Sequence, residues 1–334
     1  MVSLEYAIGA LAVVAALLVA ATLVLERRVE ARFPPAGAFA DVDGIRIHYI
    51  DVPEDASADL LPMVFIHGAS GNARDLYGAF AERLTGRGRM VFVDRPGAGY
   101  SGRAGDADAA PDVQAGYVAG LLDRLGIARA VIIGHSLGGA VAAAFGVDHK
   151  KKAAGLVFIA PATHPWPGAD IGWYYRLANR PLIGWLFIHL AVGPLGHLKY
   201  RGAVKEVFEP NKAPRDYGHR SATRLVLRRS SFRHNAKDIG GLNDNVARMS
   251  QRYCEITAPT VIITGDSDGI VLPDLHSRGL ARDIKGSRLV WLKDVGHMPT
   301  YSATDAIVAE IERLNRTIRE AETSQIPERP SLET

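Results

Sequence analysis

Short apolar runs alternating with amphipathic stretches dominate the chain from residue 38 to residue 320, and their spacing sets out the secondary structure. Runs at 62–66, 90–93, 130–133, 155–160, 259–265 and 288–292 are too short for helices, and their mostly apolar character predicts strands, that at 259–265 a buried one. Between them, Asp75 to Leu84 and Val113 to Leu125 carry apolar residues at helical spacing. From Phe39 to Val52, Ile45, Ile47 and Tyr49 alternate with polar residues after an Asp43-Gly44 turn, which predicts an edge hairpin. Strands alternating with helices predict an α/β class: a mostly parallel sheet with helices on both faces.

Two segments break this rhythm. Tyr6 to Leu25 contains no charge, and twenty helical residues rise about 30 Å, the thickness of a bilayer's hydrocarbon core. A membrane anchor over residues 1–32 is expected rather than a cleaved signal peptide, because no basic residue lies between Met1 and Glu5. Arg27, Arg28 and Arg32 follow the run, so the positive-inside rule puts the rest of the chain on the cytoplasmic side of a single-pass helix, although Glu26 and Glu30 dilute the cluster. The second break, at 162–253, holds three of the four tryptophans in its first half. Its second half, Lys199 to Arg252, carries thirteen Lys/Arg against five Asp/Glu, while the whole chain has a net charge of only +3. The aromatics suit either selection of an apolar substrate or packing; the cations suit a solvated face or contact with anionic headgroups. No nucleic-acid-binding module accompanies them.

Candidate chemistry lies where strands end. The run 130–133 passes into Gly134-His135-Ser136-Leu137-Gly138 and then a small-residue helical stretch. Glycines on both sides of a residue in a tight strand-to-helix turn predict a nucleophile elbow with the Ser136 hydroxyl lifted clear of the sheet. A serine needs a base and an orienting acid. Later in the chain stand Gly265-Asp266-Ser267-Asp268-Gly269-Ile270 and Asp294-Val295-Gly296-His297, each after an apolar run. Either Asp266 or Asp268 satisfies the chemistry.

On these residues the chain resembles the α/β-hydrolase superfamily from about residue 39 to about residue 320, in its serine-nucleophile, esterase- or lipase-like branch with a lid. The resemblance implies an α/β-hydrolase core at 33–161 and 254–322, a helical lid insertion at 162–253 and a polar tail at 323–334. It implies Ser136 as nucleophile, His297 as base and, by the Gly-x-x-Asp-x-Ile spacing, Asp268 as the acid, with Asp266 as a turn residue. His67-Gly68-Ala69 resembles the family's His-Gly loop, which implies an oxyanion hole from the Ala69 and Leu137 amides; His67 and His135 are then scaffold. Asp94 to Ser101 resembles a structural Gly/Pro loop of these hydrolases. The implied activity is cleavage of an ester, thioester or lactone through an acyl-serine, with amide or carbon–carbon bond hydrolysis on the same triad as alternatives, and a non-catalytic membrane-tethered binding or sensor protein as another. No cofactor or metal is expected. A lone cysteine, Cys254, excludes an intramolecular disulfide, and without an elbow or base beside it a buried or boundary position is expected.

Overall fold

A computed structural model describes residues 2–169 and 171–324; residues 325–334 of the expected polar tail lie outside the described residues. Elements follow in the order α1 (Val2–Arg32), β1 (Ala38–Val42), β2 (Ile45–Val52), β3 (Met63–Ile66), α2 (Ala73–Leu84), β4 (Met90–Val93), α3 (Pro111–Arg124), β5 (Ala130–His135), α4 (Leu137–Asp148) and β6 (Ala153–Ile159). After β6 come the helices α5 (Trp173–Ala178), α6 (Pro181–Phe187), α7 (Gly193–Phe208), α8 (Tyr217–Arg220) and α9 (Arg229–Met249). The chain then returns to the sheet with β7 (Thr260–Gly265), α10 (Pro273–Asp283), β8 (Arg288–Leu292), α11 (Pro299–Ser302) and α12 (Thr304–Ser324).

Eight strands form one sheet in the order β1-β2-β4-β3-β5-β6-β7-β8. The β1–β2 hairpin and the β2–β4 pairing are antiparallel, and every other pairing is parallel. Alternate residues of each strand divide between two cores, as period-two geometry requires. Val64, Ile66, Val91, Ile132 and Phe158 pack on one face with α3 and α4, while Phe65, Phe92, Ile133, Val157 and Ile263 pack on the other with α2 and α12. Helices start slightly before their amphipathic stretches. The Asn72 side chain caps α2 by accepting the Arg74 amide at 3.0 Å, and Pro111 opens α3 at a position where no amide donor is needed.

The insertion between β6 and β7 is helical. A turn of wider pitch at Ile188–Val192 joins α6 to α7, so that apolar helix runs from Pro181 to Phe208. Helix α1 packs against this run: a Cβ on Gly193 would lie 2.9 Å from Thr22 Cα, so the two backbones nearly touch. Lower on α1, Val29 and Phe33 are buried with Ala222 and Leu225, and Glu26 and Glu30 pair with Arg229 at 2.8 Å and Arg228 at 3.4 Å. The glutamates that dilute the basic cluster in sequence thus attach α1 to the insertion. Much of the insertion's positive charge is neutralised in the same way, through Lys237–Asp106, Arg248–Asp112 and Arg252–Asp148. Contrary to the buried or boundary position expected for it, Cys254 is exposed, because the short helical turn before β7 directs the neighbouring Tyr253 inward in its place.

Candidate active site

Strand β5 delivers Ser136 at its C-terminal end, with φ 53° and ψ −120°, a conformation that L-residues rarely adopt and that must be held by its surroundings. The surroundings hold it. Its amide donates to Ile159 O at 3.0 Å, and its carbonyl accepts from the amides of Gly139 at 2.8 Å and Ala162 at 3.0 Å. Glycine is required on both sides for close approach: a Cβ on Gly134 would sit 2.3 Å from Gly138 O, and one on Gly138 would sit 2.2 Å from Ile66 O.

Loops after β7 and β8 bring Asp268 and His297 to the same rim. His297 Nε2 lies 3.0 Å from Ser136 Oγ, and His297 Nδ1 lies 2.8 Å from Asp268 Oδ2. All three residues are buried. Asp268 Oδ1 also accepts from the amides of Ile270 and Val271, each at 2.9 Å. Burial pushes the Asp268 carboxyl up, but the hydrogen bond and charge of the imidazole and the two amides outweigh it and hold the carboxyl below its ordinary value. Asp266 does something different, since its Oδ1 accepts the Asp294 amide at 2.8 Å and so braces the loop that carries the imidazole.

Ala69 and Leu137 line the cavity above Ser136. Among the described residues, neither amide donates to a protein acceptor; Leu137 is the first residue of α4, where helix geometry leaves the N–H free. His67 donates through Nδ1 to Gly68 O at 2.8 Å and accepts the Arg95 amide through Nε2 at 3.1 Å. Burial, then the Arg95 charge, depress its pKa to about 3, so it is a neutral brace. His135 is similar: burial, then its neighbour His297, lower its pKa to about 4, and its Nε2 donates to the His297 carbonyl at 3.0 Å.

Several supports of the site carry no sequence signal. Asn211, from the insertion, clamps the imidazole loop by donating to Asp294 O and accepting from the Gly296 amide, both at 2.9 Å. Asn235 Oδ1 accepts the Ser70 amide at 2.7 Å, holding the loop that follows Ala69. Arg95, fully buried, donates to the carbonyls of His67 and Gly68 and pairs with Asp238 of the insertion at 2.7 Å. Only the local turn propensity around 94–101 hints at such a role.

Over the rim lies a cavity of about 1120 Å³ lined by Ser136 and His297 below and by Trp166, Trp173, Tyr175 and Phe187 of the insertion above. Packing accounts for part of the aromatic set. Tyr175, Phe187 and Phe232 pack together, while Trp173 and Trp185 remain 58% and 54% exposed.

Residues 63–310 match the model of the alpha/beta hydrolase family. The chain is 26% identical over 256 residues to a 2-hydroxy-6-oxononadienedioate/2-hydroxy-6-oxononatrienedioate hydrolase of Burkholderia vietnamiensis, covering 74% of this chain and 80% of that one. A shorter match, 36% identical over 124 residues, spans 37% of this chain and 31% of the dihydrolipoyllysine-residue acetyltransferase component of the acetoin cleaving system of Cupriavidus necator. Among solved structures, a membrane phospholipase A described as a bacterial virulence factor superposes with a TM-score of 0.63 at 21% identity, covering 95% of this chain and 96% of that one.

Proposed function

The chain belongs to the alpha/beta hydrolase family, and from that membership we propose a membrane-anchored serine hydrolase that cleaves an ester, thioester or lactone through an acyl-serine intermediate. The observation that carries the reading is the hydrogen-bonded series Ser136–His297–Asp268. In this reading Ser136 Oγ attacks the carbonyl carbon as His297 Nε2 takes its proton, with Asp268 fixing the tautomer and stabilising the imidazolium. The tetrahedral oxyanion rests on the Ala69 and Leu137 amides, each such donor being worth about a hundredfold to a thousandfold in rate. His297 then protonates the leaving group, and water repeats the sequence to release the acid and restore Ser136.

The wide cavity under exposed apolar side chains supports an apolar acyl group. Helix α1 supports the anchor: residues 4–32 include a window of mean hydropathy 2.8 that is only 6% buried, with the catalytic part on the cytoplasmic side by its trailing arginines. Hydrolysis of a series of p-nitrophenyl esters by the full chain, absent in Ser136→Ala, tests the chemistry. Removal of residues 2–25, which spares Val29 and Phe33, tests the anchor: the shortened protein is expected in the soluble fraction, and its retention on membranes would contradict that part. A second reading, hydrolysis of a carbon–carbon bond beside a carbonyl, is favoured by the Burkholderia relative; release of acid from a vinylogous diketone, with p-nitrophenyl esters untouched, would select it.

A further inference from the structure

Asp75, the third residue of α2, is 4% exposed. An acid at this position after an asparagine cap ordinarily turns back to accept the cap amide. Here it does not. Among the described residues its Oδ1 has no hydrogen-bond partner and no cation is paired with it, although the hydroxyls of Tyr217 and Tyr301 stand close enough to the carboxyl to favour its charged form. The side chain instead lines the cavity that holds Ser136 and His297. It also stands beside the loop that follows Ala69, since a Cβ on Gly71 would lie 3.3 Å from its Oδ2. Of the two carboxylates on the cavity wall, Glu206 is exposed and Asp75 is buried.

Tyrosines form the neighbourhood. Tyr217, fully within the cavity wall, and Tyr301, which donates to the Asp75 carbonyl at 2.6 Å, meet edge to face with centroids 5.0 Å apart. Phe208 and Met298, the residue after His297, complete that cluster. A buried polar oxygen without a partner destabilises the protein unless a ligand supplies one. We propose that Asp75 is a recognition site for a free hydroxyl on the alcohol half of an ester substrate, the acyl chain lying along Trp173, Phe187 and Leu195. The proposal rests on the hydrolase reading above.

A hydroxyl is the partner that fits both protonation states. Burial raises the Asp75 carboxyl to about 7 against the hydroxyls of Tyr217 and Tyr301, which favour its charged form. Near neutrality the group is therefore a mixture of acid, which donates, and carboxylate, which only accepts. A hydroxyl accepts from the first and donates to the second, whereas a carbonyl or ether, having no proton to donate, fails with the carboxylate.

The test compares kcat/KM of the full-length protein for glyceryl monobutyrate and propyl butyrate, both below their solubility limits. The hydroxyl ester is expected to be preferred by about tenfold to a hundredfold, because a site built to bond a hydroxyl rejects the analogue lacking it. Asp75→Leu is expected to collapse that ratio toward one, and Asp75→Asn, which keeps shape and hydrogen-bonding capacity, to retain most of it. A ratio near one in the unaltered protein overturns the proposal whether or not the variants fold. So does a ratio that survives Asp75→Leu, or a choline ester hydrolysed faster than both, which would mark a cation site. Failure to hydrolyse any of these esters would instead overturn the hydrolase reading beneath it.

Discussion

Gly138→Ala probes the elbow where its geometry is tightest. The added methyl would sit 2.2 Å from Ile66 O and 2.7 Å from His67 O. Normal carbon–oxygen contact begins about 1 Å farther out, and both oxygens are backbone atoms at the end of β3, so no side-chain rotation relieves the clash. Either α4 moves away from the sheet or the end of β3 retreats, and the second motion carries the Ala69 amide with it. A displacement of about 1 Å at a reacting centre costs about a hundredfold in rate, and the overpacking costs about 1–3 kcal/mol of stability. Measured kcat on p-nitrophenyl butyrate should fall by about that factor while KM changes little, and the thermal midpoint should drop. Gly116→Ala is the matched control, since nothing lies within 4 Å of its added methyl on α3, and alanine there should stabilise by about 0.5–1 kcal/mol. If Gly138→Ala retains the unaltered kcat and thermal midpoint, the close-approach argument is wrong.

Asp268→Asn should lower kcat by about ten-thousandfold at pH 7 by stabilising the wrong imidazole tautomer, and a loss below tenfold would return Asp266 to contention. Asn211→Ala removes two hydrogen bonds from the imidazole loop, each worth about 1 kcal/mol, so kcat should fall about tenfold or more with the fold intact by circular dichroism; unchanged kcat would make the clamp irrelevant. Asp75 sets a pH dependence of stability: its folded pKa of about 7 lies above the ordinary value of 3.8, so the folded state holds the extra proton between those values and loses stability as pH rises through that window. Asp75→Asn should therefore raise the melting temperature more at pH 8 than at pH 4, and an equal change at both would contradict the assignment.

Most of the sheet was legible because its strands are short and mostly apolar: the run at 90–93 coincides with the buried central strand β4, and that at 288–292 with the partly exposed edge strand β8. The elbow was legible because backbone crowding admits only glycine at 134 and 138, a constraint written in residue type. The choice between Asp266 and Asp268 was not, since both are acids on one loop and only their partners, the Asp294 amide and the His297 ring, separate them. Asn211 and Asn235 were invisible because each acts on backbone groups 83 or more residues away in sequence. The docking of α1 was hidden for the same reason: Glu26 and Glu30 read as weakened topology signals until Arg229 and Arg228 are beside them.

Covalent labelling with a fluorophosphonate, followed by peptide mass spectrometry, reads the reactivity of the triad itself. One adduct is expected, on Ser136, formed quickly in the unaltered protein, slowed severely in His297→Ala and absent in Ser136→Ala. A folded protein that leaves Ser136 unmodified, or that is labelled at an unchanged rate without the imidazole, would contradict a histidine-activated serine at this site.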